Sequence, residues 1–217
     1  MQNIDPHVHS LHNSHGQADP NKIIEAALAN GLDGIVIVEH NSYDASARWE
    51  QYKNSDLLIM RGVEYTSDLG HILIYGIESD KYIPRPNLPF AEIGALAERL
   101  NWAIVAAHPF TRPGVYARNS EKRIPSIHAL EVNLKASAIN NLDTVTLATK
   151  QGIKLIAGSD ARDERTVGGY STGFFNRVSN VQELAQEIRN RDFTMIVTPD
   201  AKTKLMIDRT SEQPSYQ

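Results

Sequence analysis

Two histidines near the start of the chain, His7 and His9, have the spacing of a metal site. On an extended strand, residues at i and i+2 point to the same face, so both imidazoles would project together. Asp5 lies two residues further back, where its carboxylate could orient an imidazole. Two imidazoles supply half of a first coordination shell. An isolated His-x-His pattern is a weak signal, however, so its interpretation depends on the rest of the chain.

Further potential metal ligands lie at the ends of the apolar runs of the sequence. They are Glu39, His40, Glu64, His108, Glu131 and Asp160, whereas His71 precedes its run. Burying so many ionisable groups without a cation would be very unfavourable, and bound metal would remove that conflict. The chain has no Cys, and a ligand set of imidazoles and carboxylates suits zinc, manganese or iron.

Each of these residues also has an ordinary structural interpretation. Taken alone, Glu64 or Asp160 would more often be a helix cap or a partner in a surface ion pair, and His108 a hydrogen-bonded core histidine. His12 lies in a polar loop and His128 opens a strand instead of closing one. We therefore expect His12 and His128 to be structural.

The elements that must position these residues alternate between strand and helix patterns. Apolar runs of strand length occupy residues 35–38, 57–60, 72–75, 103–106, 130–132, 154–157 and 195–197. Helical patterns occupy residues 21–29, 90–100, 137–150 and 181–191. Near-continuous apolar runs indicate strands that are buried on both faces, as in a parallel sheet. The alternation predicts a barrel or an open doubly wound sheet.

A closed barrel fits the motifs better than a nucleotide-binding sheet does. The chain contains no G-x-G-x-x-G pattern and no phosphate-binding loop ending in Lys-Ser/Thr. A barrel of parallel strands places its active site at the carboxyl ends of the strands, where the candidate ligands fall. Because His71 precedes its run, that strand is expected to enter the barrel from the mouth. We expect one domain over residues 1–200 and a polar, partly disordered tail at residues 201–217.

Composition limits the partners. The 217 residues carry a net charge of −4 without a basic block, which argues against binding long duplex nucleic acid and leaves a nucleotide or short oligonucleotide as a substrate. The one basic and aromatic cluster, Tyr116, Arg118, Lys122 and Arg123, suits a loop over the mouth and a small phosphate. No apolar run approaches the length of a membrane span, so we expect a cytoplasmic protein.

Taken in order, the motifs resemble those of the PHP (polymerase and histidinol phosphatase) family. The matching segments are residues 5–10 (DPHVHS), 14–16 (SHG), 31–41 (GLDGIVIVEHN), 62–64 (GVE), 70–73 (GHIL), 107–110 (AHPF), 130–133 (LEVN) and 158–161 (GSDA). Members of this family are metal-dependent phosphoesterases. Their fold, which the resemblance implies for this chain, is an α/β, distorted seven-stranded (β/α)7 TIM-like barrel.

The resemblance also implies a ligand set of two or three divalent metal ions. His7, His9, Glu64 and Asp160 would hold one metal, and Glu64 would bridge to a second that is also bound by His71 and His108. A third metal would take His15, His40 and a histidine at the position where this chain has Arg162. A guanidinium stays protonated and cannot be a ligand, so occupancy of the third site is in doubt.

Two interpretations of Arg162 remain open. In the first, the third site has been lost and Arg162 points to solvent or pairs with Asp163 or Glu164. In the second, which we favour, its guanidinium replaces the third cation and donates a bidentate hydrogen bond to substrate phosphate. The usual T-D-H of the family is also changed, to Val38-Glu39-His40.

The predicted reaction is hydrolysis of a phosphate ester of a nucleotide or other small substrate. Two cations about 3.5–4 Å apart would hold a bridging hydroxide and neutralise charge on the phosphoryl group. Asp5 and Glu131 would orient ligands, His40 is a candidate for protonating the leaving group, and the candidates for phosphate contacts are Arg112, Lys135 and Arg162.

Two alternatives remain. Barrels with His-x-His after the first strand also occur in amidohydrolases, which cleave C–N bonds, but those use a lysine where Glu64 stands here. The chain could also be a non-catalytic domain that binds metal or nucleotide and has a regulatory role. Arg162 and Glu39 leave that option open, while Glu64, His108 and Asp160 argue against it.

Overall fold

A nearly closed, barrel-shaped sheet of nine strands forms the centre of the protein. The computed structural model describes residues 1–12, 16–17, 19–112, 114–116 and 124–197. The order of the strands in the sheet is β11-β10-β1-β4-β5-β6-β7-β8-β9. Their bounds are β1 Gln2–Val8, β4 Gly34–His40, β5 Leu58–Thr66, β6 His71–Tyr75, β7 Ala103–Ala106, β8 Ala129–Asn133, β9 Lys154–Gly158, β10 Tyr170–Phe174 and β11 Phe193–Val197. The short strands β2 Leu11–His12 and β3 Gly16–Gln17 pair separately.

The sheet closes where β9 meets β1 and β10. Val8 and Ala161 form a parallel bridge, and the backbone N–H of His9 donates to the carbonyl of Ala161 at 2.7 Å. On β10, the hydroxyl of Thr172 accepts from the N–H of Ala157 at 3.0 Å and donates to its carbonyl at 2.9 Å. These contacts join the two ends of the sheet.

The sheet is mixed, because β6 and β10 each run antiparallel to both of their neighbours. The pairs β1–β4, β4–β5, β7–β8 and β8–β9 are parallel, whereas β6 is antiparallel to both β5 and β7. The expectation that the strand after His71 enters from the mouth is therefore confirmed. The mouth is formed by the carboxyl ends of the parallel strands and the amino end of β6.

The predicted strand number of seven was wrong. The sequence of β10, Y-S-T-G-F, contains no apolar run, yet all five of its residues are buried and pair antiparallel with β1 and β11. Its polar Thr172 is satisfied by the backbone of Ala157 across the barrel closure. A strand stabilised by such a long-range contact has no signal in local hydrophobicity.

The helices confirm their predicted positions to within one residue at each end. They are α1 Pro20–Ala29, α2 Phe90–Leu100, α3 Ala138–Gln151 and α4 Val181–Asn190. Side chains of Asp19, Ser137 and Asn180 accept hydrogen bonds from the first turns of α1, α3 and α4, and Gly152 closes α3 at φ 64°. Such caps are local, so sequence patterns place them well. The 3-10 helices Asp44–Gln51 and Asp80–Tyr82 were not predicted.

The core lies on both faces of the barrel wall. On β4, Val36 and Val38 belong to one buried cluster, and Ile35 and Ile37 pack in another with Ile23 of α1. Burial on both faces explains why the runs were nearly continuous. Helix α4 packs against β5, β6 and β7 near the end of the barrel opposite the mouth. None of the described helices is long and apolar enough to cross a membrane.

Candidate metal centre

Glu64, at the carboxyl end of β5, is the hub of a cluster of histidines at the mouth. Its carboxylate is almost fully buried, with 1% of its side-chain surface exposed. The ring nitrogens of five histidines lie close to its two oxygens: His7 Nε2 (3.7 Å), His9 Nε2 (3.0 Å) and His40 Nδ1 (3.2 Å) to Oε2, and His71 Nδ1 (2.8 Å) and His108 Nε2 (2.9 Å) to Oε1. These histidines come from or follow strands β1, β4, β6 and β7.

His7, His9 and Glu64 place one ligand atom each within 4.8 Å of the others, and Asp160 approaches both histidines. Nε2 of His7 lies 3.2 Å from Nε2 of His9. Oδ1 of Asp160 lies 3.8 Å from the first of these nitrogens and 3.5 Å from the second. Four ligand atoms bound tetrahedrally at 2.0–2.2 Å would be about 3.4 Å apart, so these separations fit a transition metal.

Unpartnered buried oxygens support that fit. Oε2 of Glu64 and Oδ1 of Asp160 are buried and accept no hydrogen bond from any residue that the structure describes. Leaving such oxygens without a partner costs free energy, which a bound cation would offset. The donor set of imidazoles and carboxylates therefore fits a divalent metal.

A second group of ligand atoms lies on the more open side of the cluster. His40, Glu64 and His71 place one ligand atom each within 4.8 Å of the others. The side chains of His40 and His71 are 35% and 15% exposed. His108, whose Nε2 contacts the same carboxylate oxygen as His71, completes this side. Oε1 of Glu64 thus faces His71 and His108 of this group, while Oε2 faces His40 together with His7 and His9, so the carboxylate lies between the two groups.

Glu131 contacts two of the segments that carry candidate ligands. Its Oε1 lies 2.7 Å from Nδ1 of His7, and its Oε2 accepts from the backbone N–H of His108 at 2.9 Å and from Nδ2 of Asn133 at 3.0 Å. Burial alone lowers the pKa of His7, but the charges of Glu131 and Asp160 outweigh it and raise that pKa well above its ordinary value. The structure thus places Glu131 where an orienting carboxylate is needed.

Asp5 lies beside the cluster, and its hydrogen bonds go to the backbone. Oδ1 accepts from the N–H groups of His7 at 3.2 Å and Ser159 at 3.1 Å, and Oδ2 accepts from Gly168 at 2.9 Å. Burial raises the pKa of Asp5 to about 6, although these hydrogen bonds oppose the shift. An irregularity in the pairing of β1 with β4 between Asp5 and Val8 interrupts the simple alternation that the sequence prediction assumed. Asp5 positions the strand ends and contacts no imidazole among the described residues.

Glu39 and Thr111 contribute contacts that the sequence did not indicate. Oε1 of Glu39 accepts from the N–H of Ser10 at 2.9 Å and from its hydroxyl at 2.6 Å, while Oε2 lies 3.8 Å from Nδ1 of His9. Burial raises the pKa of Glu39, but contacts with His9 and Ser10 lower it overall. The hydroxyl of Thr111 lies 2.8 Å from Nδ1 of His108. No local sequence pattern predicts either contact, since each depends on the tertiary structure around the mouth.

The electrostatics of the cluster keep Glu64 and Asp160 ionised. Burial opposes ionisation of Glu64, but its contacts with His108, His7 and His71 hold its pKa well below the ordinary value. The pKa of Asp160 is likewise lowered, because His7 and His9 outweigh the effect of burial. Burial lowers the pKa of His40 to about 4, although the charge of Glu64 opposes this. Ionised carboxylates and the neutral imidazole of His40 are forms that bind metals, whereas the raised pKa of His7 means that its ring must lose a proton to bind one.

The backbone is strained at two of the candidate ligands. His108 and Asp160 have φ of 29° and 49°, in the left-handed region that residues other than glycine rarely adopt. Such conformations cost about 1–3 kcal/mol each and concentrate at functional sites. The surrounding fold therefore holds both side chains toward the mouth at a cost in stability.

The remaining candidates are spread more widely. Nζ of Lys135 and Nη2 of Arg162 lie 3.7 and 3.6 Å from Oδ1 of Asp160. Arg112 is exposed and makes no hydrogen bond or ion pair with a described residue. His128 lies at the other end of the barrel, where its Nδ1 accepts from the N–H of Ile104 at 3.0 Å. His15, Arg118, Lys122, Arg123 and the predicted tail at 201–217 lie outside the described residues.

Comparisons with known proteins agree with this geometry. The family model of the PHP domain matches residues 5–197. PsfC from Pseudomonas syringae PB-5123 is similar in structure, with a TM-score of 0.71, 17% identity and coverage of 97% of both chains. A two-domain protein from Bacteroides vulgatus that contains a predicted PHP-like metal-dependent phosphoesterase has a TM-score of 0.63 and 14% identity, covering 95% of this chain and 69% of that one.

A third similar structure is that of an endonuclease. The lesion-specific endonuclease PfuEndoQ from Pyrococcus furiosus has a TM-score of 0.64 and 17% identity, covering 89% of this chain and 57% of that one. At such identities these likenesses extend to the fold alone. No curated protein matches the sequence.

Proposed function

Because the chain belongs to the PHP domain family, whose model matches residues 5–197, we propose that it is an enzyme that hydrolyses phosphate esters of small substrates with divalent metal ions. The family resemblance inferred from the motifs is thereby confirmed. The substrate that we favour is a nucleotide or another small phosphorylated molecule. Zinc, manganese and iron all suit the donor set.

The observation that carries this proposal is the division of the Glu64 carboxylate. Oε2 faces His7, His9 and His40, whereas Oε1 faces His71 and His108. A purely structural carboxylate would be satisfied by one or two donors, and Oε2 accepts no hydrogen bond from a described residue. The arrangement is that expected of a carboxylate shared by two cations.

Each group of residues then has a distinct task. His7, His9, Glu64 and Asp160 would hold one metal, and Glu64, His71 and His108 would hold the second. When bound, the metals lower the pKa of a coordinated water and neutralise charge on the phosphoryl group. Glu131 keeps the ring of His7 in one orientation, and Thr111 does the same for His108.

His40 is better suited to binding a cation than to donating a proton. Its pKa of about 4 leaves the imidazole neutral near pH 7, when a proton donor would need to be charged. Its Nδ1 points at Glu64 from 3.2 Å. A role in leaving-group protonation therefore has less support than a role as a ligand.

The size of the substrate remains a proposal based on charge. The net charge of −4 and the lack of a basic block argue against a long duplex, which needs many phosphate contacts. The structural likeness to a lesion-specific endonuclease makes an oligonucleotide assay necessary all the same. We favour a small phosphate and expect weaker turnover of polymers.

Metal analysis combined with hydrolysis assays tests the proposal. We expect at least two metals per chain and turnover of a phosphate ester, with His9→Ala and Asp160→Ala each abolishing turnover. His128→Gln, a substitution at the other end of the barrel, serves as the control. The substrates should include a phosphomonoester, a phosphodiester, a short oligonucleotide and an amide.

The outcomes separate the alternatives. Turnover of the amide alone would favour the amidohydrolase alternative. Bound metal without turnover of any substrate would favour a non-catalytic domain. A metal-free protein of unimpaired stability, or wild-type turnover in both variants, would contradict the proposal.

A further inference from the structure

Two cationic side chains, those of Lys135 and Arg162, lie beside Asp160 in the candidate metal centre. Nζ of Lys135 lies 3.7 Å and Nη2 of Arg162 lies 3.6 Å from a single oxygen, Oδ1 of Asp160. Both side chains are 36% exposed, so solvent reaches them. Oδ1 is also the oxygen that faces His7 and His9.

The hydrogen-bond donors of these cations are largely unused. Both separations from Asp160 exceed hydrogen-bond length, and neither side chain makes another hydrogen bond or ion pair within the described part of the chain. The neighbouring carboxylate of Asp163 is instead bonded by Arg165. Lysine has three donors and arginine five, so most remain available to a ligand.

The backbone that carries each cation is held in place. The N–H of Lys135 donates to Oδ1 of Asn133 at 2.8 Å, and Nδ2 of Asn133 donates to Glu131, the partner of His7. On the other side, Ala161, which precedes Arg162, donates to Oγ of Ser159 at 3.0 Å. The carbonyl of Ala161 accepts from the N–H of His9, as described above. The turns bearing the two cations are thus tied to segments that bear metal ligands.

A simple ion pair explains this arrangement poorly. A half-exposed contact of 3.6–3.7 Å contributes little to stability. Two cations beside one carboxylate also leave an excess positive charge, and a metal bound at Oδ1 would increase it. Like charges held so close favour an anion between them.

We propose that Lys135 and Arg162 form a clamp for a terminal phosphate group and that the clamp selects phosphomonoesters over phosphodiesters. This inference rests on the proposed phosphoesterase function. A phosphomonoester has three non-ester oxygens and a charge of about −1.5 to −2 near pH 7, whereas a diester has two such oxygens and one charge. Only the monoester keeps a free oxygen for the clamp after its other two face the metals. Arginine suits bidentate contact, and lysine acts as a point charge.

The test compares two esters and inorganic phosphate. Arg162→Ala, Lys135→Ala and Arg162→Lys are assayed, with metal content measured in each, against p-nitrophenyl phosphate and bis(p-nitrophenyl) phosphate. Arg165→Ala is the matched control, because Arg165 lies in the same loop and is 81% exposed. Binding of inorganic phosphate to the metal-loaded protein is measured by calorimetry.

Charge-assisted hydrogen bonds lead us to expect a selective loss. Each alanine variant should lose roughly 10- to 100-fold in kcat/KM for the monoester and weaken phosphate binding similarly. The diester should lose less than about 3-fold, since it makes little use of the clamp. Arg162→Lys should retain part of the activity, Arg165→Ala all of it, and every variant its metal.

Equal losses on both esters, unchanged phosphate affinity in the alanine variants, or a wild-type preference for the diester would overturn the clamp while leaving the phosphoesterase function intact. If the wild type hydrolyses neither ester, the proposed phosphoesterase function is contradicted. The binding of inorganic phosphate then tests the clamp separately. Weaker binding in the alanine variants would support the clamp, and unchanged or absent binding would overturn it.

Discussion

The two sides of the metal cluster differ in how the protein holds them. On the buried side, His7 and His9 have 0% and 1% of their side-chain surface exposed. On the open side, which consists of His40, His71 and His108, the exposed fractions are 35%, 15% and 10%. Both sides share the carboxylate of Glu64.

The buried side is also better oriented. The second ring nitrogen of His7 is fixed by the carboxylate of Glu131 at 2.7 Å, whereas on the open side only His108 has such a partner, the hydroxyl of Thr111 at 2.8 Å. The described residues offer no hydrogen-bond partner to the second ring nitrogen of His9, His40 or His71. A ring that is already held loses less freedom when it binds a metal, and such outer partners are worth roughly 10–100-fold in metal affinity. We therefore expect the buried side to hold a metal more tightly than the open side.

Glu64→Gln should have the largest effect, because it removes the carboxylate common to both sides. We expect kcat to fall at least about 1,000-fold, since several kcal/mol of charge stabilisation would be lost. Metal content should fall on both sides. The measurement is metal analysis with phosphomonoester kinetics, and Glu98→Gln, at an exposed glutamate that pairs with Arg189, is the control. If the variant retained two tightly bound metals, Glu64 would not be a ligand shared by both.

Gly158→Ala tests the orientation of the buried side alone. A Cβ at this position would lie 2.5 Å from Oε1 of Glu131 and 2.9 Å from Cβ of His7. Displacing Glu131 should weaken the tighter metal roughly 10–100-fold, and overpacking should lower the free energy of unfolding by about 1–3 kcal/mol. Metal titration and urea unfolding measure the two effects.

Gly152→Ala is the control for that substitution. Gly152 has φ 64° and nothing within 4 Å of an added Cβ, so the variant should lose stability through backbone strain while metal affinity stays unchanged. Equal metal affinities in the two variants would show that the Glu131 contact does not matter for binding.

Stepwise metal removal tests the comparison directly. As a chelator is added, the metal of the open side should leave first, and the two midpoints should differ by roughly 10-fold or more. His71→Ala should lower only the weaker affinity, while His9→Ala should lower the tighter one. Simultaneous release of both metals would mean that the two sides bind as one unit.

His128 supplies a smaller, independent measurement at the far end of the barrel. Burial and the charge of Arg189 lower its pKa, although Glu98 opposes this. The folded state therefore binds fewer protons than the unfolded state, so stability falls as pH drops below about 6.5, the unfolded value. His128→Gln removes this contribution. In metal-free protein, urea unfolding at pH 7.5 and 5.5 should show a smaller loss in the variant, and parallel losses would contradict this assignment.

Elements with local causes were predictable from the sequence. Helices α1 and α3 are capped at their first turns by Asp19 and Ser137, so short patterns suffice to place them. The reversed direction of β6 also followed from a local observation, the position of His71 ahead of its apolar run. β10 escaped prediction because Thr172 gains its partner, Ala157, only when the barrel closes.

The candidate site shows the same division. His7 and His9 are two residues apart, and this short spacing already predicts that their rings lie close together, as they do. The contact between His7 and Glu131 spans 124 residues, and Glu39 reaches Ser10 across 29 residues. No periodicity records such pairings, because they depend on the order in which strands join.

The sequence by itself determined which residues are chemically able to bind metals, at which strand ends they fall, and the family to which they belong. Those properties depend on residue type and short spacing. Only the tertiary structure decided that Glu64 lies between two groups of histidines, that one group is buried and the other open, and that Lys135 and Arg162 share one carboxylate oxygen. These relations arise when the sheet closes, since closure places side chains from distant strands within a few ångströms of each other.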